Sequence, residues 1–298
     1  MSTAPVTLTI FAAGTLAGPF NALDKAFSAK YPNVTIHAQF GGSVAEVKQV
    51  TQLGLQADVV GVADYTVIPK YMFAPANKAW ATWYVGFASN AITFVYTPKS
   101  KGASTITADN WYKVLAEPGV QIGRSNPDTD PSGYQTLQML DLAEQYYKSP
   151  GLAAAILKNA PSTNIRDTET ALLGTLQAGQ IDYLAIYRSD AIQHKLKYLD
   201  LPTAINLSDA SQASTYAKAT VQTKNGALSG NPIIYAVTVP TNAPHAEWAQ
   251  RWIEFLLGPE GQKELAQDGF GYVTPALANQ QSALPPSLQP LTAQWPAR

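Results

Sequence analysis

The sequence predicts an α/β protein of two lobes with mainly parallel sheets. Three observations carry that expectation. Strand-like and helix-like segments alternate along most of the chain, the pattern of strands joined by helical crossovers. The 298 residues suffice for about two domains of ordinary size. Hydrophobic residues make up 46% and charged residues 14%, which favours a packed core over a disordered chain.

Residues 7–11, Thr-Leu-Thr-Ile-Phe, are β-branched and apolar and read as a buried first strand. Ala12, Ala13 and Gly14 follow, small enough for a ligand or another backbone to come close. Thr15 is a helix N-cap type, Pro19 fits a first turn, and Leu16, Phe20, Leu23 and Phe27 recur at helical spacing. A strand that turns through small residues into a helix points free N–H groups and a positive dipole end outward, which suits an anion.

Residues 34–40 alternate and read as the second strand. Gly41 and Gly42 lead to Ser43, and Ser43 with Glu46 has the spacing of a capping box on a helix ending near Gly54. Residues 57–64 form a third strand ending in the small Ala63, followed by strands over 83–88 and 91–96. The Pro-Lys-Ser-Lys-Gly run at 98–102 breaks the pattern and suggests a crossing between lobes. The expected division is residues 1–94 with 203–298 as lobe I, and 95–202 as lobe II.

A short helix over 111–115 and a strand over 120–123 come next. The polar turn at 124–134 carries Arg124, Ser125, Asp128 and Asp130; Asp130-Pro131 is a good N-cap and N1 pair for a helix to about Tyr147. Residues 168–179 read as a helix and 181–187 as a strand. Tyr187, Arg188 and Ser189 stand at that strand's C-terminal end, where open α/β sheets collect ligands. Later expectations are a short strand at 198–201, a buried strand at 233–239, an amphipathic helix at 246–257 and a last helix from 258 to about 269. The Pro-rich tail from Leu284 is expected to lie on the surface or to be mobile.

Lys+Arg 20 against Asp+Glu 21 gives a net charge of -1, with no basic field for nucleic acid. No apolar run is long enough to span a membrane. Residues 1–5 lack the basic and apolar regions of a signal peptide. Either the protein is cytosolic or its signal segment is absent from this sequence, and a Met just before a first strand fits the second. No Cys is present, so disulfides, thiolate metal sites and Cys nucleophiles are excluded. His37, His194 and His245 share no metal-ligand spacing. The nucleotide-loop, dinucleotide, nucleophile-elbow and zinc-protease patterns are all missing, which lowers the odds of an enzyme.

Four blocks resemble the archaeal-type molybdate/tungstate-binding proteins of ABC transporters. They are Ala13-Gly14-Thr15-Leu16; Gly42-Ser43-Val44 with Ala57-Asp58-Val59 and residues 63–70; residues 123–131 with Gly133-Tyr134; and residues 179–183 through Tyr187-Arg188-Ser189 to Gln193-His194. The match extends through Leu201-Pro202 and residues 205–209 and covers most of the chain in order. The resemblance implies a type II periplasmic-binding-protein fold, in which two α/β lobes close on an oxyanion in a central cleft. It implies a monomer outside the cytoplasmic membrane that hands its ligand to an ABC permease, with no cofactor and no catalysis.

Carried over to this chain, the family's first hydroxyl falls on Thr15 and its second on Ser43. Of two family carboxylates that can bond the metal of the oxyanion, one falls on Asp130, with Asp128 close by. The other falls on Ile186, which has no oxygen to give. The expected ligand-binding set is Gly14, Thr15, Ser43, Ala63, Arg124, Asp130 and Tyr187, with Asp130 the possible bond to Mo or W. Ile186 leaves four-coordinate or otherwise completed binding, with Asp190 a possible substitute, and reopens selectivity against sulfate, vanadate and phosphate. An enzyme on the same fold, such as a transferase using Arg124 and Arg188, and a sensor domain of a regulator are the rival classes.

Overall fold

The computed structural model describes residues 4–73 and 78–295. Residues 1–3, on which the signal-segment reading partly rests, and the tail residues 296–298 lie outside the described residues. The chain forms two compact units, Met1–Ser89 with Ile234–Arg298, and Asn90–Ile233.

The first unit opens with β1 (Val6–Ala13), α1 (Ala17–Lys30), β2 (Val34–Gly41), α2 (Ser43–Thr51), β3 (Val59–Val62) and β4 (Val85–Ser89). The second contains β5 (Ile92–Tyr96), α3 (Trp111–Ala116), β6 (Ile122–Ser125), α4 (Pro131–Tyr146), α5 (Leu152–Lys158) and β7 (Ile165–Arg166). It continues with α6 (Leu173–Gln177), β8 (Tyr183–Tyr187), α7 (Arg188–Gln193), β9 (Lys197–Tyr198), α8 (Ala213–Tyr216), β10 (Thr220–Thr223) and β11 (Gly226–Ser229). The chain returns to the first unit through β12 (Ile234–Thr238), α9 (Ala246–Leu257), α10 (Pro259–Gln267), β13 (Gly271–Ala278) and β14 (Thr292–Gln294).

In the first unit seven strands form one sheet in the order β14-β13-β4-β12-β3-β1-β2. β1 runs parallel to β2 from Val6↔Val34 to Ala13↔Gly41, and parallel to β3 from Ile10↔Val59 to Ala12↔Gly61. The C-terminal half of β1, Ile10 to Ala13, is buried on both faces and uniformly apolar, whereas its first half alternates, with Thr7 exposed and Leu8 buried. Phe20, Leu23 and Phe27 of α1 are buried, with Phe20 edge-on to Trp252 at 4.8 Å and Phe27 edge-on to Phe255 at 5.5 Å. Val44, Val47 and Val50 of α2 join Phe11, Val60 and Val62 in a separate cluster.

In the second unit the sheet order is β7-β6-β8-β5-β9, with β10 and β11 a separate antiparallel hairpin. All five residues of β8 are buried. It pairs parallel to β6 and antiparallel to β5. The sheets are thus mixed: parallel pairs occur at β1–β2, β1–β3, β6–β7, β6–β8 and β13–β14, while β4, β5 and β12 run antiparallel to their neighbours.

The expected crossings after residues 94 and 202 shift to 89/90 and 233/234. β5 pairs with β8 and β9, so it belongs wholly to the second unit. The stretch beyond 203 is tied there as well: Gln138 Nε2 donates to the Leu228 carbonyl, and the Lys224 amide donates to Asp128 Oδ1 at 2.8 Å. The tail corrects another expectation, because β14 adds a strand to the sheet and Leu284 and Leu288 are buried. A Cβ on Gly86 would stand 2.7 Å from the Trp295 ring, so β4 has no side chain where the tail packs. No helix among the described residues is long and apolar enough to cross a membrane.

Asp24 is an acid inside the first unit. Its Oδ1 accepts a 2.7 Å bond from Trp252 Nε1, which lowers its pKa, but burial outweighs that bond and pushes the carboxyl up to about 7. The ordinary value of 3.8 applies in the unfolded chain, so the folded protein holds this proton more tightly. The resulting stabilisation is fully present below the unfolded value and is lost as pH rises through the folded one. Urea unfolding at pH 5 and pH 8 should therefore show a stability difference in the wild type that Asp24→Asn diminishes. An equal difference in both proteins would remove Asp24 as its source.

Candidate functional site

In the first unit, three neighbouring parallel strands end side by side. Ala13 opposite Gly41 sets Gly14-Thr15 beside Gly42-Ser43, and β3 delivers Ala63 next to them. Thr15 does not cap a helix. It lies in a 3-10 turn, Gly14–Leu16, ahead of α1, and its Oγ1 is 2.9 Å from the Tyr235 hydroxyl. The expected capping box at Ser43 is also absent. Gly42 is the N-cap, Ser43 is the first helical residue, and the Glu46 carboxylate accepts from Gln39 and Gln49.

Ser43 Oγ instead accepts the Ala63 amide proton at 3.0 Å. Ser43 is fully buried, and the described residues offer its hydroxyl proton no acceptor. A hydroxyl whose oxygen is already engaged by an N–H has its own proton left to give. Thr15, Ser43 and Ala63 are all nearly inaccessible, at 2%, 0% and 1% exposure, so bonds made there compete little with water.

In the second unit, Arg124 sits in β6, Asp130 at the N-cap of α4, and Tyr187 at the last position of β8. Asp130 occupies the cap position without capping: its carboxylate bonds no helix amide. Its Oδ2 accepts from Ser132 Oγ at 2.9 Å. The same hydroxyl lies 2.9 Å from Glu169 Oε2 and 2.6 Å from Ser125 Oγ. One hydroxyl has one proton, so it cannot satisfy two ionised carboxylates. Burial, followed by the charge and hydrogen bond of Asp130, raises Glu169 well above the usual carboxylate range, which makes Glu169 the acid that keeps a proton.

Tyr187 donates to Gln135 Oε1 of α4 at 2.6 Å. Arg124 Nη1 donates to the Ser125 carbonyl at 3.1 Å, and its Nε is buried with no partner among the described residues. Burial disfavours its charge and lowers its pKa. Among the described residues Arg124 forms no ion pair with Asp130. Asp128, the neighbouring alternative, serves the fold: it pairs with Lys224 at 3.7 Å and accepts the Lys224 amide. Ile186 is buried among Leu172, Leu176, Leu184 and Ala191, an apolar surrounding that has no use for a carboxylate. Asp190, the suggested substitute, is buried in the first turn of α7 and contributes to raising Glu169.

Sequence reading missed Ser132, Glu169 and Tyr235. Ser132 was visible as the second residue after a cap-type Asp. Glu169 falls within the expected helix over 168–179 and Tyr235 within an expected buried strand, and neither is marked locally because their partners stand 37 and 220 residues away.

A family model described as bacterial extracellular solute-binding protein matches residues 8–271. An uncharacterized solute-binding protein of Petrotoga mobilis is 38% identical over 274 residues, covering 90% of this chain and 84% of its own. The molybdate/tungstate-binding protein WtpA of Pyrococcus abyssi is 37% identical over 300 residues, covering 91% and 86%. Among solved structures, the Azotobacter vinelandii periplasmic molybdate-binding protein superposes with a TM-score of 0.66 at 17% identity over 89% of this chain and 99% of that one. The sulfate-binding protein SubI from Mycobacterium tuberculosis gives 0.61 at 18% identity, over 90% and 87%. At that identity the likeness concerns the fold, which is that of the periplasmic binding proteins. The chain belongs to the bacterial extracellular solute-binding protein family, in the group that includes the molybdate/tungstate-binding proteins.

The start of α4 has no room for a side chain at Gly133. A Cβ there would stand 2.7 Å from Asn126 C and Pro127 N and 2.8 Å from the Ser125 carbonyl oxygen, all backbone atoms. Gly133→Ala should therefore destabilise the protein by about 1–3 kcal/mol, the usual cost of overpacking. Chemical denaturation measures it, and an unchanged midpoint would mean the loop at 125–127 yields freely.

Proposed function

We propose that this protein captures a tetrahedral oxyanion, molybdate or tungstate, outside the cytoplasmic membrane and delivers it to an ABC permease. The observation that carries the reading is Ser43: a fully buried hydroxyl at the start of a helix, its oxygen held by the Ala63 amide and its proton without an acceptor among the described residues. The names of the relatives at 37% identity supply the class of ligand. Gly14, Thr15, Ser43 and Ala63, together with Arg124, Asp130 and Tyr187, are the proposed binding groups. The protein acts as a monomer, with the oxyanion as cargo and no resident cofactor.

A dianion is held here mainly by neutral donors, with the N-terminal end of α2 adding its dipole. Each charge-assisted bond contributes about 1.5–3 kcal/mol net. Several together reach about −8.2 kcal/mol, the free energy of micromolar binding. Asp130 would repel an oxyanion's oxygens, so its part in the reading is a bond to Mo or W itself. Ile186 favours a second reading, in which another tetrahedral oxyanion such as sulfate or vanadate is the ligand.

Calorimetric titration with molybdate, tungstate, sulfate, vanadate and phosphate separates these readings. Molybdate or tungstate should bind at about micromolar or tighter and displace the others. Thr15→Val and Ser43→Ala should each weaken binding about tenfold or more, one charge-assisted bond. Unchanged affinity in both variants would take these residues out of the site, and preferred binding of sulfate or vanadate would establish the second reading.

A further inference from the structure

We propose that Gln135 is a further ligand-binding residue of the second unit: its side-chain amide donates an N–H to the captured oxyanion beside Tyr187. The inference rests on the oxyanion reading, with Tyr187 among the binding groups. Nothing in the sequence marks Gln135, which follows Tyr134 in α4 and belongs to none of the blocks that carry the family resemblance.

The bond to Tyr187 tells the two ends of the amide apart. Gln135 Oε1 accepts the Tyr187 hydroxyl proton at 2.6 Å. That length belongs to an O–H···O bond, whereas an amide N–H against an oxygen sits at about 2.9–3.0 Å. The carbonyl end therefore faces the tyrosine, and the NH2 end is turned away from that oxygen. An amide nitrogen carries two protons and accepts nothing. Among the described residues neither proton has an acceptor.

Burial makes this vacancy costly. Gln135 is 2% exposed, so water does little to satisfy the two protons. The nitrogen is unpaired among the described residues, yet it is not wholly sealed as Arg124 Nε is, so it keeps a small opening through which a ligand oxygen can reach it.

The kind of ligand follows from the donor. A group that only donates suits oxygens rich in lone pairs and rejects a cation. It also favours an oxyanion with every oxygen deprotonated over one that must place a proton of its own. Being neutral, it adds no charge to be stripped of water. Donation from Tyr187 into the carbonyl polarises the amide and strengthens its N–H groups as donors. The placement is firm: α4 packs against β8, Tyr187 is the last residue of a strand buried throughout, and Gln135 is buried beside it.

The test is calorimetric titration of the full chain with molybdate and with tungstate at pH 8, for the wild type, Gln135→Glu and Gln135→Met, together with 15N spectra of the wild type. Gln135→Glu keeps an oxygen for the Tyr187 proton and exchanges the donor for an acceptor. It should weaken binding about tenfold or more, the effect of one charge-assisted bond. Gln135→Met, similar in length and uncharged, should weaken binding by a similar factor. In the wild type the Gln135 side-chain NH2 resonances, assigned through bonds to its backbone, should move downfield as molybdate saturates the protein, and they carry the test should either variant fold poorly. Wild-type affinity in Gln135→Glu would reduce Gln135 to a support for Tyr187. That outcome, wild-type affinity in Gln135→Met, or unmoved resonances would each overturn the inference while leaving the oxyanion reading intact. Failure of the wild type to bind either ion would remove both.

Discussion

The bond from the Ala63 amide to Ser43 Oγ is the constraint on which the first unit's candidate site depends. It ties the end of β3 to the start of α2 and engages a hydroxyl that is shut away from water. It is available because β1, β2 and β3 run in one direction and end together, with Ala13 opposite Gly41 and Ala12 opposite Gly61. Small residues at those ends let helix starts and strand ends meet without intervening side chains. A buried polar group left unmatched costs free energy, and the arrangement meets half of that demand from within. The other half is what a negatively charged guest with oxygen atoms can meet.

The second unit solves a different problem, that of keeping acids out of water. Asp130, Glu169 and Asp190 are all buried. Ser132 bridges the first two, and Glu169 retains a proton, so the cluster carries less charge than its composition suggests. The same short segment explains why α4 begins as it does. Pro131 needs no hydrogen-bond partner for a missing N–H, and Gly133 lets the loop at 125–127 lie directly on the helix. Asp128 faces the other way and fastens the β10–β11 hairpin through Lys224 and Asn225.

Much of this was legible in the sequence, and the failures share a cause. The alternating and apolar runs of β1, β2 and β8 and the 3.6-residue spacing in α1, α4 and α9 declare themselves, because each is a local pattern driven by burial. The strand-to-helix turns around Thr15 and Ser43 are legible, but the hydroxyls take tertiary partners, Tyr235 and Ala63, in place of the caps that local spacing implies. No local rule can weigh a partner 220 residues distant. The unit boundaries moved for a similar reason. β4 and β5 follow each other with only Asn90 and Ala91 between them, yet they belong to different sheets. The carboxylate cluster was half seen: Asp130 was read from its motif, whereas Glu169 acquires its meaning only from burial beside it.

β14 has a consequence of another kind. It is three residues long and covers the outer side of β13, a strand of eight residues with Tyr272 exposed. A long uncovered strand margin invites a strand from a second molecule, and a very short one offers too little ladder to hold it. Thr292–Gln294 thus acts as a selvedge on the sheet. Trimming the chain before this segment would open a sticky border and also take the Trp295 ring away from Tyr65 and Tyr84, so the shortened protein would tend to self-associate.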